Sequence, residues 1–363
     1  MIDRGSFREI DWVLIGLLVL NSIIGVVFIF SSSHYLPGSY ALKQTIFIVV
    51  GFALLFLLLA VDYKVLMTYS LYFYLGVMVV LAGLLLFAKL IAHTKSWIRL
   101  PFFQVQPSEL AKIALILLLA RIFSEYKKST LSSSVGVQAI LIVLGPFVLV
   151  AVQPDLGTAL TFISLLMAVL VLAGLRKKTI VLLLAVSLAV GIVGWNSALK
   201  DYQKKRLTTL FYPSQDPKGA GYHILQSKIA IGSGGLTGKG FLKGSQSQLR
   251  FLPARHTDFI FSVIGEEFGF LGVFFVMMTS FLMIARMFVS VGMARDRAGV
   301  YIIFMASMLI AFQFFVNVLM IIGLFPVTGV PLPLLSYGGS SLISNFLAVG
   351  LVINVRMRRF ANV

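Results

Sequence analysis

Asp258 stands where a polar, basic stretch gives way to apolar sequence. Residues Phe251 to Gly269 read FLPARHTDFIFSVIGEEFG, so Arg255 and His256 lie just before the acid, with Arg250 upstream and Glu266 downstream. A carboxylate so placed suits proton transfer, which needs a titratable group within hydrogen-bond reach of a substrate. An ionisable residue at an apolar border points to function. A second role also fits Asp258, capping the helix that follows, where an acid faces the positive end of the helix dipole. Other reactive chemistry is scarce. The chain has no cysteine, hence no thiolate and no disulfide frame, and His34, His93, His223 and His256 lack the spacing of metal ligands.

Further motifs accompany this acid. On a continuous helix Glu266 lies about 12 Å along from Asp258 and roughly 80° around it, so the two can share a cavity, whereas Glu267 faces the opposite way. The alternative for Glu266 is a buried acid paired with a cation for packing. In QPSELAK, Pro107 opens a helix on which Glu109 and Lys112, three residues apart, can pair among apolar neighbours. That pair either neutralises itself as a structural feature or faces a wet cavity. Asp155 in QPDLGTAL follows a proline at the head of another apolar run and reads as a helix cap.

The glycine-rich GSGGLTGKG, which holds Lys239 with Lys243 shortly after it, is not an ATP-binding phosphate loop. Gly232 and Gly238 are one residue too far apart, Gly240 replaces the required Ser or Thr, and no strand precedes it. Its backbone N–H groups could cradle a phosphate, or the glycines could confer flexibility alone. Asn317 to Ser341, NVLMIIGLFPVTGVPLPLLSYGGSS, carries three prolines and four glycines at the end of an apolar run. Broken helix at membrane depth is tolerated only under a cover of protein or beside a water-filled cavity. The stretch, including Ser336 and Ser340, therefore marks a cavity wall or a re-entrant connection.

A bundle of membrane-spanning helices must position these groups. Of 363 residues 59% are hydrophobic and 12% charged, and several apolar runs reach about 20 residues, the length a bilayer core demands. The chain reads as an all-α polytopic membrane protein of about ten transmembrane helices, a single integral membrane domain over 1–363. The expected spans are Trp12–Phe30, Gln44–Val61, Tyr69–Leu90, Pro107–Phe123, Val135–Val152, Leu156–Gly174, Thr179–Trp195, Phe259–Ala285, Val300–Leu324 and Ser340–Val355. The first run lacks a cleavage site and reads as a retained span.

Thirty basic residues divide as fifteen in the segments assigned to the cytoplasm, four in short outer loops, Lys112 inside a helix, and ten in residues 197–258. This positive-inside bias puts both termini in the cytoplasm and accounts for the net charge of +17 without nucleic acid. Residues 197–258 form a long extracytoplasmic loop between spans seven and eight, far longer than an ordinary connection. Its ten basic residues face only Asp201, Asp216 and Asp258, and an outward-facing basic loop draws anionic, phosphate-bearing partners. Apolar stretches such as YHILQSKIAIG suggest partial helices along the membrane surface.

Five stretches in order resemble the SEDS family of shape, elongation, division and sporulation proteins, most closely its RodA branch. They are WIRLPFFQVQPSELAK from Trp97, QPDLGTAL from Gln153, FYPSQDPKGAGYHILQSKIAIGSGGLTGKGF from Phe211, FLPARHTDFIFSVIGEEFG from Phe251, and GLFPVTGVPLPLLSYGGSS from Gly323. The resemblance covers essentially the whole chain. It implies a peptidoglycan glycosyltransferase of the bacterial cytoplasmic membrane that joins lipid II units to a nascent glycan strand on the outer side. By the same resemblance Asp258 is the essential carboxylate, taking the proton from the acceptor 4-hydroxyl. Undecaprenyl pyrophosphate leaves and a β-1,4 linkage forms with inversion. Glu109 and Lys112 match a family pair that shapes the central cavity.

The departing pyrophosphate needs cations. Lys239, Lys243, Arg250 and Arg255 are the candidates by charge, and a divalent ion, magnesium or manganese, can share the task because pyrophosphate itself supplies ligands. The expected partners are membrane lipids and, by the same resemblance, a class B penicillin-binding protein that crosslinks the strands. Two other readings suit about ten spans with buried charge: a flippase or transporter of the lipid-linked precursor, and a non-catalytic scaffold.

Overall fold

A computed structural model describes residues 9–36, 38–87, 96–99, 103–126, 133–174, 204, 208–210, 212, 216, 219–249, 251–252 and 254–359. In chain order these form α1 (Trp12–Ser33), α2 (Tyr40–Ala60), the short α3 (Tyr63–Thr68), α4 (Ser70–Phe87), β1 (Ile98–Arg99) and β2 (Gln104–Val105). Then come α5 (Pro107–Glu125), α6 (Ser133–Val152), α7 (Leu156–Leu172), α8 (Ala220–Gly234), α9 (Ser245–Gln248), α10 (Ile260–Val289), α11 (Arg297–Ile321) and α12 (Gly339–Met357). The fold is all-α. The two short strands pair antiparallel with Ile98 opposite Val105.

Helices α1, α2, α4, α6, α10, α11 and α12 are long and apolar enough to cross a membrane, and α7 is apolar but shorter. Their outward residues are greasy. Leu57, Val79, Leu86, Phe87 and Phe274 are all exposed, as expected where lipid rather than water is the surrounding solvent. Helix α5 carries four charged residues yet is deeply buried: Ile113 to Ala120 are buried without interruption. A helix apolar all round belongs in a core, and α5 packs against α4, α7, α11 and α12. Nine of the ten expected spans thus have a helix. The tenth, Thr179–Trp195, lies outside the described residues. Helix α2 starts at Tyr40 rather than Gln44.

Helix α10 is not continuous. At Gly269 the backbone leaves helical geometry (φ 63°, ψ −156°), which frees peptide groups that must find partners inside the membrane. The glycine motif supplies them. The Lys239 and Gly240 N–H groups donate to the Glu266 and Glu267 carbonyls (3.0 and 2.9 Å), and the Phe270 and Leu271 N–H groups donate to the Gly235 and Leu236 carbonyls (2.9 and 3.1 Å). The approach is so close that a Cβ on Gly238 would sit 2.1 Å from the Glu267 carbonyl oxygen. GSGGLTGKG is therefore a backbone patch over a helix break, a role different from both a phosphate cradle and mere slack.

Candidate active site

Asp258 lies in the turn that enters α10, half-buried. The N-cap position of α10 is Phe259, which makes no side-chain cap hydrogen bond, so Asp258 does not hold the capping position. Three consecutive carbonyls at the turn are held by the end of α11 and the broken segment that follows it. The Tyr337 N–H donates to the His256 carbonyl (2.9 Å). The Ser336 hydroxyl donates to the Thr257 carbonyl (2.6 Å). The Asn317 amide donates to the Asp258 carbonyl (3.0 Å) and, with its other hydrogen, to the Val330 carbonyl (2.8 Å). The carboxylate end faces Gly329, where an added Cβ would lie 3.7 Å from Oδ2. The proline- and glycine-rich stretch is thus a wall of the site.

The same wall reaches a second polar group. A Cβ on Gly157 would meet the Thr328 carbonyl at 2.3 Å, so the start of α7 rests directly on the backbone beside Gly329. Here Asp155 caps α7, accepting from the Thr158 N–H (3.2 Å), and takes a hydrogen bond from the Gln106 amide (2.6 Å). Ser340 accepts from the Gln106 N–H (3.0 Å) and donates to the Gln104 carbonyl (3.2 Å), which ties the short hairpin to α12. Glu109 and Lys112 pair at 2.6 Å, with side chains only 4% and 1% exposed. Ser344 on α12 donates to the Glu109 carbonyl (3.1 Å).

Several residues chosen by charge are engaged elsewhere. Arg255 is buried and its Nε donates to the Ser32 carbonyl at the end of α1 (2.5 Å). The Lys239 ammonium donates to Glu266 (2.9 Å) and to the Ser245 hydroxyl (2.7 Å). Glu266 also accepts from the Gln246 and Ser247 N–H groups (2.7 and 3.0 Å), so its carboxylate anchors the loop over the helix break. Glu267 accepts from Ser31 (2.5 Å) and Gln248 (3.3 Å). Lys243 is exposed, and Arg250 lies outside the described residues. The His256 ring packs against Tyr40 and Tyr337, with centroids 4.7 and 5.8 Å away. Burial, reinforced by the Arg255 charge, holds its pKa below the ordinary histidine value.

Reading the sequence did not single out Asn317, Gln106 or Tyr40. Asn317 offered a signal, a carboxamide in an apolar run, since a buried amide must find hydrogen-bond partners. Gln106 and Tyr40 offered none. Among the described residues no three acids or histidines converge as metal ligands.

Fold and site together define a polytopic membrane protein in which a proline- and glycine-rich segment between two long helices walls in a half-buried acid, Asp258. A family model described as "Cell cycle protein", covering FtsW, RodA and SpoVE, matches residues 11–360, and the chain belongs to that family. It is 38% identical over 312 residues to the peptidoglycan glycosyltransferase MrdB of Escherichia coli strain K12, covering 86% of this chain and 84% of that protein. It is 36% identical over 366 residues to a probable peptidoglycan glycosyltransferase FtsW of Geobacter sp. strain M18, covering 96% and 97%. Among solved structures, a chain described under "Structural coordination of polymerization and crosslinking by a peptidoglycan synthase complex" superposes with TM-score 0.83 at 30% identity, covering 97% of this chain and 99% of that one. The rod shape determining protein RodA of Thermus thermophilus superposes with TM-score 0.73 at 28% identity, covering 97% and 98%.

Proposed function

We propose that the protein is a peptidoglycan glycosyltransferase of cell elongation in which Asp258 is the general base. The observation that carries this is the turn itself: it is fastened on three consecutive carbonyls, those of His256, Thr257 and Asp258, while Asp258 is only half-buried. A general base must be held within hydrogen-bond reach of the proton it takes, and positioning supplies much of the rate. Asp258 accepts the proton of the acceptor sugar's 4-hydroxyl as that oxygen attacks the donor's anomeric carbon. The bond from that carbon to the pyrophosphate oxygen breaks, undecaprenyl pyrophosphate leaves with the electron pair, and the linkage inverts to β-1,4.

The charge distribution supports a site on the outer side and both termini in the cytoplasm. Asp11, Arg286 and Arg356 gather at one end of the bundle, Asp258 at the other. Any magnesium or manganese ion would be held mainly by the substrate's pyrophosphate, since the described residues build no ligand trio. The solved complex, whose description joins polymerization to crosslinking, supports a class B penicillin-binding protein as partner.

The test is purified protein with lipid II, with and without that partner, scored for glycan polymer. Asp258→Asn should abolish polymer and leave folding and partner binding intact. A flippase would move labelled lipid II across vesicles and make no polymer. A scaffold would bind the partner and do neither.

A further inference from the structure

Helix α8 rests on the site and carries a lysine that no contact accounts for. The Ser227 hydroxyl donates to the Ile321 carbonyl at the end of α11 (2.9 Å) and lies 2.8 Å from the Ser262 hydroxyl, one turn beyond Asp258 on α10. The His223 ring packs on Phe259, next to Asp258 in the chain, at 5.9 Å between centroids. Lys228, adjacent to Ser227, is exposed. Its ammonium end lies over Gly323, just past α11: a Cβ built there would come within 2.7 Å of Nζ. Among the described residues Lys228 forms no ion pair and no side-chain hydrogen bond.

Its neighbours on α8 are apolar. Leu225 and Ile229, on the same face, are 52% and 42% exposed. A cation next to exposed aliphatic side chains, on a helix that packs against the first turn of α10, matches an amphiphile with an anionic head and an oily tail. Arg255 and Lys239 do not offer this. Arg255 is buried on Ser32, and Lys239 is neutralised by Glu266.

We propose that Lys228 binds the pyrophosphate of the prenyl-linked donor, with Leu225 and Ile229 receiving the first part of its hydrocarbon chain. This rests on the glycosyltransferase reading of the Asp258 site. An ammonium facing a pyrophosphate forms charge-assisted hydrogen bonds, the stronger kind, and at the low-dielectric edge of the membrane the attraction is less screened than in water. Lys228 therefore acts in binding the donor and in stabilising the charge that gathers on the leaving group, while Asp258 handles the proton.

Binding is measured without turnover, on the full chain in neutral phosphatidylcholine nanodiscs, with labelled lipid II. In an Asp258→Asn background, adding Lys228→Ala should weaken lipid II binding about tenfold or more, equivalent to about 1.4 kcal/mol, and Lys228→Arg should restore most of it. The melting temperature should stay unchanged, because among the described residues Lys228 makes no ion pair and no side-chain hydrogen bond. Equal affinity for the Ala and Lys forms overturns the proposal, as does a lowered melting temperature with unchanged binding, which would make Lys228 a partner of the α11 carboxyl-terminal end. Phosphatidylglycerol in the discs separates the two sources of lipid phosphate. If it erases the difference between the Lys and Ala forms, the site takes bulk phospholipid head groups and the proposal falls. Polymer made by Asp258→Asn alone would remove the base assignment and leave the binding comparison intact.

Discussion

Asp11 and Asp258 each stand just before a long apolar helix, and the protein uses them in opposite ways. Asp11 caps α1, accepting from the Leu14 N–H (3.2 Å), and its carboxylate is gripped by Arg286 (2.9 Å) and Arg356. It is buried. Around it Glu9 pairs with Arg359 (2.6 Å), and Tyr63 donates to Asp296 (2.8 Å). At Asp258 the backbone carbonyl is held by Asn317, and the residue is only half-buried beside Gly329. An acid closed in by guanidinium groups joins helices. An acid whose peptide is pinned and whose residue is only half-buried is placed to take a proton from a substrate.

Four experiments break or sharpen this contrast. Asp258→Asn should lower polymerisation by at least about a hundredfold, the scale of a lost general base, with no change in melting temperature. If it destabilised the protein instead, the two acids would be of one kind. Asp11→Ala is expected to do the reverse. It leaves two arginines without their carboxylate, a loss of about 3–5 kcal/mol for a broken buried pair. Thermal melts in detergent should show the drop, while turnover per folded molecule stays at the wild-type level.

Asn317→Ala tests the tether directly. It leaves the Asp258 and Val330 carbonyls without their donor, at about 1–3 kcal/mol for a buried unsatisfied group. Turnover should fall roughly tenfold with KM for lipid II little changed, as expected when only positioning suffers. In an Asp258→Asn background the same change should cost stability and no further activity. Full activity in Asn317→Ala would show that the tether is idle.

The smallest effect concerns His256. Its folded pKa is depressed by burial and by Arg255, so the unfolded chain binds the proton more readily. Stability from this group is complete above the unfolded value, about 6.5, and is lost as pH falls from there toward the folded pKa. Melting temperatures at pH 7.5 and 5.5 should therefore differ less in His256→Gln than in the wild type. An equal drop in both would assign the acid sensitivity to other groups.

Much of this was legible in one dimension. The spans stood out because an apolar run long enough for a bilayer is a local property, and nine of them are helices here. The Asp155 cap and the Glu109–Lys112 pair were readable from spacing alone, since both bridge residues three apart. The break at Gly269 was not readable. Projecting Glu266 and Glu267 along an ideal helix separated their faces, but could not show that the chain from Lys239 to Ser247 closes over Glu266, or that Ser31 meets Glu267. The hairpin at Ile98–Val105 and the short α3 were equally silent, being too brief for any periodic pattern.

The amino-acid sequence alone determined that the chain is a helical membrane protein, which ends carry its basic excess, and that Asp258 is the acid at the polar border. Hydropathy, charge and turn chemistry act over a few neighbouring residues and need no partner. Tertiary structure alone decided which charged groups remain for a substrate. Arg255 is occupied by a carbonyl 223 residues away, and Lys239 by an acid 27 residues away. Composition cannot foresee such pairings, because a long cationic side chain answers to whatever acceptor the fold brings within about 3 Å of it.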